Sequence, residues 1–134
     1  MKIKKLGLFL TSNCNFKCIY CCVQTGEDPP DKLNFCELKD ILVQARSMGA
    51  KYLVIPGKGE PLLDVNFFPL IEYAQKIGMV CEVNTNMSLI NKDIARWLFD
   101  RKVHITAKLN SLKDINPLSI SEYYAYSQNS SAIF

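Results

Sequence analysis

Apolar and polar positions along the chain switch between two periods. Lys5 to Leu10 is an apolar, β-prone run that stops at the polar turn Thr11-Ser12-Asn13, the pattern of a strand meeting a loop. After a Gly/Pro-containing stretch from Gly26 to Asp31, Phe35, Leu38, Ile41, Leu42, Ala45 and Met48 recur at helical spacing, with Asn34 and Glu37 placed as a capping box and Gly49 as a stop. Tyr52 to Pro56 reads as a second strand with a glycine-rich exit. Phe67, Leu70, Ile71, Ala74 and Ile77 form a second helical stripe closed by Gly78, with Pro69 tolerated in the first turn. Met79 to Val83 predicts a third strand, Asn91 caps a third helix carrying Ile94, Trp97 and Leu98, and Val103 to Leu109 predicts a fourth strand. The order is βαβαβαβ. Strands alternating with helices at this spacing imply right-handed parallel crossovers, so the fold class is α/β, as an open doubly wound sheet or part of a barrel.

In either architecture the chemistry collects where the strands end and the loops converge. Here the cysteines follow strand one, Gly57-Lys58-Gly59-Glu60-Pro61 follows strand two, Thr85-Asn86 follows strand three and Asn110-Ser111 follows strand four. From Asp114 onward neither period holds, so residues 1–112 are read as the core and 113–134 as a tail of uncertain structure.

Charge narrows the partners only slightly. The net charge is +3 and the basic residues are scattered except at Lys2, Lys4 and Lys5, which gives no indication of nucleic acid. The run Leu6 to Leu10 is too short for a secretory signal core, and no apolar run approaches the roughly 18 residues that span a bilayer. A cytoplasmic protein without a membrane partner is expected.

Cysteine usage changes the picture more. Cys14, Cys18, Cys21 and Cys22 crowd one loop, with Cys36 and Cys81 apart from them. Such crowding is poor disulfide geometry, which leaves metal or an iron–sulfur cluster as the leading reading. Cys14 to Cys21 has the form C-x3-C-x2-C with Tyr20 before the third cysteine. Three thiolates on one loop can hold three irons of a cubane cluster and leave the fourth open. A zinc site on Cys14, Cys18, Cys21 and Cys22 is the bland alternative, strained by adjacent ligands. Cys22, Cys36 and Cys81 read as small hydrophobes, His104 is given no catalytic role, and Phe9, Phe16, Tyr20, Phe67, Phe68 and Trp97 are assigned to packing.

With C-x3-C-x-aromatic-C after strand one, Gly59-Glu60-Pro61-Leu62-Leu63 after strand two and Thr85-Asn86 after strand three, the chain resembles the radical S-adenosylmethionine (radical SAM) superfamily. The resemblance implies a partial (β/α) barrel, a [4Fe-4S] cluster on Cys14, Cys18 and Cys21, and S-adenosylmethionine chelated at the open iron and cleaved reductively to a 5′-deoxyadenosyl radical. It further implies cofactor contacts from Gly59, Glu60, Pro61, Thr85 and Asn86, with Asn110-Ser111 where the family places polar residues near the ribose. Lys108 and Asn110 alternate on one strand face and would line the barrel interior together as cofactor-binding candidates, and Gly57 and Gly59 would let the backbone approach the cofactor closely. Two positions depart from the family pattern: Lys58 stands at the first glycine of G-G-E-P, and Met87 at the glycine of T-N-G.

Plainer readings stand beside these: Glu60 as a helix cap, Thr85 and Asn86 as turn residues, Lys108 and Asn110 as solvated edge positions. A full eight-unit barrel uses about 250 residues, so 134 residues hold only about four βα units, and an incomplete barrel is expected. The resemblance implies a small-molecule or peptide substrate and an electron donor such as a flavodoxin or ferredoxin. A second copy or partner subunit that completes the sheet would suit an unclosed edge. The alternative function is a non-catalytic metal or iron–sulfur module acting through a partner protein.

Overall fold

The computed structural model describes residues 2–21, 23 and 25–108. Cys22, the predicted strand end at Leu109, Asn110, Ser111 and the stretch 113–134, including Tyr123, Tyr124 and Tyr126, lie outside the described residues. Four strands alternate with three helices: β1 Lys5–Gly7, α1 Phe35–Ser47, β2 Tyr52–Ile55, α2 Phe67–Lys76, β3 Val80–Thr85, α3 Lys92–Asp100 and β4 His104–Ala107. All neighbours pair in parallel, in the order β1-β2-β3-β4. Among the described residues each strand lies beside its sequence neighbour with no reversal of order, so the sheet follows a barrel wall and shows no switch point of a doubly wound sheet.

The helix ends follow the side chains that cap them. Asn34 accepts from the Cys36 and Glu37 amides while Glu37 returns a bond from the Asn34 amide, completing the capping box. Asn91 accepts from Ile94 N at 2.9 Å to start α3. Gly49 and Gly78 stop the first two helices in the left-handed region, at φ of 100° and 80°.

One face of the sheet carries the core. Leu53, Ile55, Cys81 and Val83 are fully buried among Leu38 and Leu42 of α1, Phe67, Leu70, Ile71 and Ala74 of α2, and Ala95 and Leu98 of α3. The opposite face bears Gly7, Val54, Glu82 and His104 in register across the four strands, none of them buried. There the Lys5 ammonium reaches the Glu82 carboxylate at 3.0 Å. Phe67, Phe68 and Trp97 form an edge-to-face series in the helical layer. Phe9 and Tyr20 depart from the packing role expected of them, being 59% and 53% exposed. Phe9 lies just past β1 between buried Leu8 and Leu10 with its own side chain outward, and Tyr20 lies in a turn of the cysteine loop.

Candidate functional site

Three loops leave the same end of β1, β2 and β3 and are tied together there. The β2 exit makes the first tie: Gly59 N donates to Thr11 O at 3.1 Å and Glu60 N to Asn13 O at 2.8 Å, binding it to the start of the cysteine loop. Only glycine permits this approach, since a Cβ on residue 59 would stand 2.0 Å from Asn13 O. The bare backbone at Gly59 therefore makes this loop-to-loop contact possible.

Glu60 makes the second tie. Its carboxylate is buried and accepts from Thr85 Oγ1 at 2.7 Å, Asn86 N at 2.8 Å and Leu62 N at 3.3 Å. The capping role weighed from sequence is thus present, on the short 3-10 turn Pro61–Leu63, together with a bond across to β3. Burial pushes the Glu60 carboxyl above its ordinary value, and the bonds from Asn86, Thr85 and Leu62 pull it only partway back. A folded pKa above the unfolded one contributes stability below pH 4.5 that is lost as pH rises through the folded value. In urea titrations of the metal-free protein, Glu60→Gln should show a flatter stability profile than wild type as pH rises from 4.5. Parallel profiles for the two proteins would contradict this assignment.

Asn86 supplies the third tie. Its Nδ2 donates to Asn15 Oδ1 at 2.9 Å and lies 3.9 Å from Cys14 Sγ, while Asn15 Nδ2 donates to Ser88 Oγ at 2.7 Å. Phe16 N approaches the same sulfur at 3.4 Å. Two N–H groups aimed at Cys14 Sγ suit a thiolate. Cys18 and Cys21 share a turn closed by Cys21 N to Cys18 O at 3.0 Å, and all three thiols are free and partly buried. Among the described residues no three His, Cys, Asp or Glu side chains form an ion cage. The donor set fits a three-thiolate cluster, since its thiols share one loop and none is spent on a disulfide.

Thr85 is buried, and its hydroxyl also accepts from Met87 N at 3.0 Å. Met87 adopts a φ of 65°, the conformation glycine favours, and its side chain is buried in the core. Lys108 places its ammonium 5.7 Å from the Tyr20 ring centre, which brings the end of β4 to the cysteine loop. Pro61 is buried at the start of its turn, and Asn110 lies outside the described residues.

Sequence reasoning missed the charges on the other side of the cysteine loop. Asp28, Lys32 and Asp64 form a connected set in which Lys32 bridges the two carboxylates. Burial raises the Asp28 carboxyl, but hydrogen bonds from Lys32, Ser12 and Thr11 outweigh it and hold the group below its ordinary value. A long-range ion pair leaves no periodic trace. The signal that existed was the Asp28/Lys32 spacing of four, in a stretch read only as loop.

Residues 8–126 match the family model described as the radical SAM superfamily. The chain belongs to that superfamily. Among curated radical SAM relatives, it is 34% identical over 117 residues to GTP 3′,8-cyclase of Haemophilus influenzae, covering 84% of this chain and 34% of the relative. It is 32% identical over 89 residues to the mycofactocin maturase MftC of Mycobacterium ulcerans, covering 66% and 24%. This radical SAM chain thus spans about a third or less of the length of these relatives. The same fold occurs in anSMEcpe with bound AdoMet, at a TM-score of 0.66, 20% identity and coverage of 96% of this chain and 39% of that one. It occurs too in Streptococcus suis SuiB bound to precursor peptide SuiA, at 0.64, 24%, 79% and 24%. Among the described residues no helix is long and apolar enough to cross a membrane.

Proposed function

We propose that this chain is the radical-generating part of a radical SAM enzyme. Cys14, Cys18 and Cys21 hold a [4Fe-4S] cluster, and the Gly59–Pro61 and Thr85–Asn86 loops face S-adenosylmethionine. The observation that carries the reading is the bonding of three consecutive strand ends around Cys14: Glu60 joins the second loop to the third, and Asn86 joins the third to the cysteines. When bound, such a cluster supplies one electron that breaks the sulfur to C5′ bond of S-adenosylmethionine, giving methionine and a 5′-deoxyadenosyl radical.

The chain's own residues have defined tasks. Phe16 N and the Asn86 amide would stabilise negative charge on Cys14 Sγ. Glu60, whose side chain is spent on three donors and whose amide is spent on Asn13 O, acts as a support that fixes the two cofactor loops relative to the cysteines. Lys108 and Asn110 are proposed at the ribose end, with Lys108 held near Tyr20. The substrate, a small molecule or peptide, would lie over the helix-free sheet face; a peptide is supported by the fold shared with SuiB bound to its precursor peptide.

The test is electron paramagnetic resonance on the anaerobically reconstituted, reduced protein. Saturating S-adenosylmethionine should shift the cluster signal, Glu60→Ala should weaken that shift, and 5′-deoxyadenosine should form. An unchanged spectrum with the cofactor counts against the reading, as does protein that takes up zinc without sulfide, which favours the partner-dependent metal module.

A further inference from the structure

The cysteine loop leaves the core at Thr11-Ser12-Asn13 and returns at Asp28, and these two limbs are bound to each other. The Asp28 carboxylate accepts from Ser12 N at 2.5 Å, from Thr11 Oγ1 at 2.8 Å and from Asn13 Nδ2 at 3.4 Å. Gly26 N donates to Ser12 O at 2.9 Å beside it. Thr11 and Ser12 are buried and Asp28 is half-buried, so the outgoing limb of this neck is anchored in the protein. On its other side, the same Thr11 and Asn13 accept the Gly59 and Glu60 amides.

Lys32 extends the contact. Its ammonium donates to Asp28 at 2.7 Å and also to Asp64, whose side chain is completely buried. Asp64 follows the Pro61–Leu63 turn and opens the way to α2: its amide donates to Pro61 O at 3.0 Å, its carboxylate accepts from Asn66 N at 2.8 Å, and its carbonyl accepts from Phe67 N at 3.1 Å. One ammonium therefore joins the return limb of the cysteine loop to the segment immediately after Glu60. A buried ion pair of this kind contributes little net stability compared with apolar groups of the same volume, and its attested use is to fix one arrangement among several.

We propose that Asp28 is a positioning residue for the cluster-binding loop, and that Lys32 and Asp64 anchor it to the Glu60 turn. Closing the neck presents Cys14, Cys18 and Cys21 from a loop fixed at both ends, which limits the separations the three thiols can take. The consequence for iron retention rests on the iron–sulfur reading; closure of the neck does not.

Two measurements separate these claims. In metal-free protein, trypsin should cut after exposed Lys17 about tenfold faster in Asp28→Asn and Asp28→Ala, because losing a charge-assisted bond opens a local segment more often. Cleavage after Arg96 in α3 is the internal standard for global opening. Lys32→Met should act in the same direction and Lys32→Arg should restore protection. In reconstituted protein the same variants should lose iron to a chelator about tenfold faster, in the same order. A Lys17-to-Arg96 cleavage ratio equal to wild type in both Asp28 variants overturns the proposal, whether the protein is intact or globally loosened. Faster Lys17 cleavage in protein that never assembles a cluster upholds the neck and removes the iron–sulfur reading.

Discussion

Reconstituted under anaerobic conditions with iron and sulfide, the wild-type chain should turn brown and carry the two in near-equal amounts, whereas Cys14→Ala, Cys18→Ala and Cys21→Ala should each remain without stoichiometric cluster. The expected loss is nearly complete because three thiolates are the minimum that secures a cubane with one open iron, and no fourth described cysteine can replace them. Cys81 is buried in β3, bonded toward Ile71 O, and burial pushes its thiol up to about 12, away from the thiolate that iron requires. Cys36 is exposed at the start of α1. Cys81→Ala and Cys36→Ala should keep their colour, and so should Cys22→Ala, whose residue lies outside the described set. If Cys22 is required and Cys21 is dispensable, the ligand register set by Tyr20 is wrong.

Gly59→Ala should be the most damaging single methyl group that can be added near the site. Its Cβ would meet Asn13 O at 2.0 Å, Asn13 C at 2.7 Å and Ser12 C at 2.8 Å, all main-chain atoms that no rotamer change can clear. Relief requires the two loops to part, which breaks the Gly59 N to Thr11 O and Glu60 N to Asn13 O bonds. Overpacking and two lost bonds together are expected to destabilise the protein by about 3 kcal/mol. Gly26→Ala, with nothing within 4 Å of its added Cβ, is the matched control and should stay near wild type. Denaturant midpoints that coincide for the two variants would show that the loops separate freely.

The sequence carried the alternation of elements because each depended on local signals. Asn34, Glu37 and Asn91 sit where the caps form, and Gly49 and Gly78 where helices end. Strand ends were less legible. β3 runs on past Val83 because Asn84 and Thr85 pair with Thr106 and Ala107, a contact that polar residues do not advertise. β1 stops at Gly7, shorter than its apolar run, although Leu8 N still bonds to Val54 O. β2 ends at Ile55, before Pro56, which has no amide hydrogen for a further rung. At the site, cysteine spacing and the Gly59–Pro61 motif could be read because they are contiguous. The Asp28–Lys32–Asp64 set could not, since Lys32 and Asp64 are separated by all of α1 and β2.

Sequential strand order also sets an assembly timetable. Each described strand pairs with the described strand just before or after it in the chain. The connections are unequal: residues 86–103 join β3 to β4, whereas residues 8–51 join β1 to β2 and include the cysteine loop. Each doubling of a connection adds about 0.6 kcal/mol of closure entropy. The later crossover therefore closes at lower entropic cost, while β1 has to wait for a long segment to be gathered in. Among the four described strands, β1 is expected to be the last to dock, and the thiols stay accessible for as long as that docking is delayed.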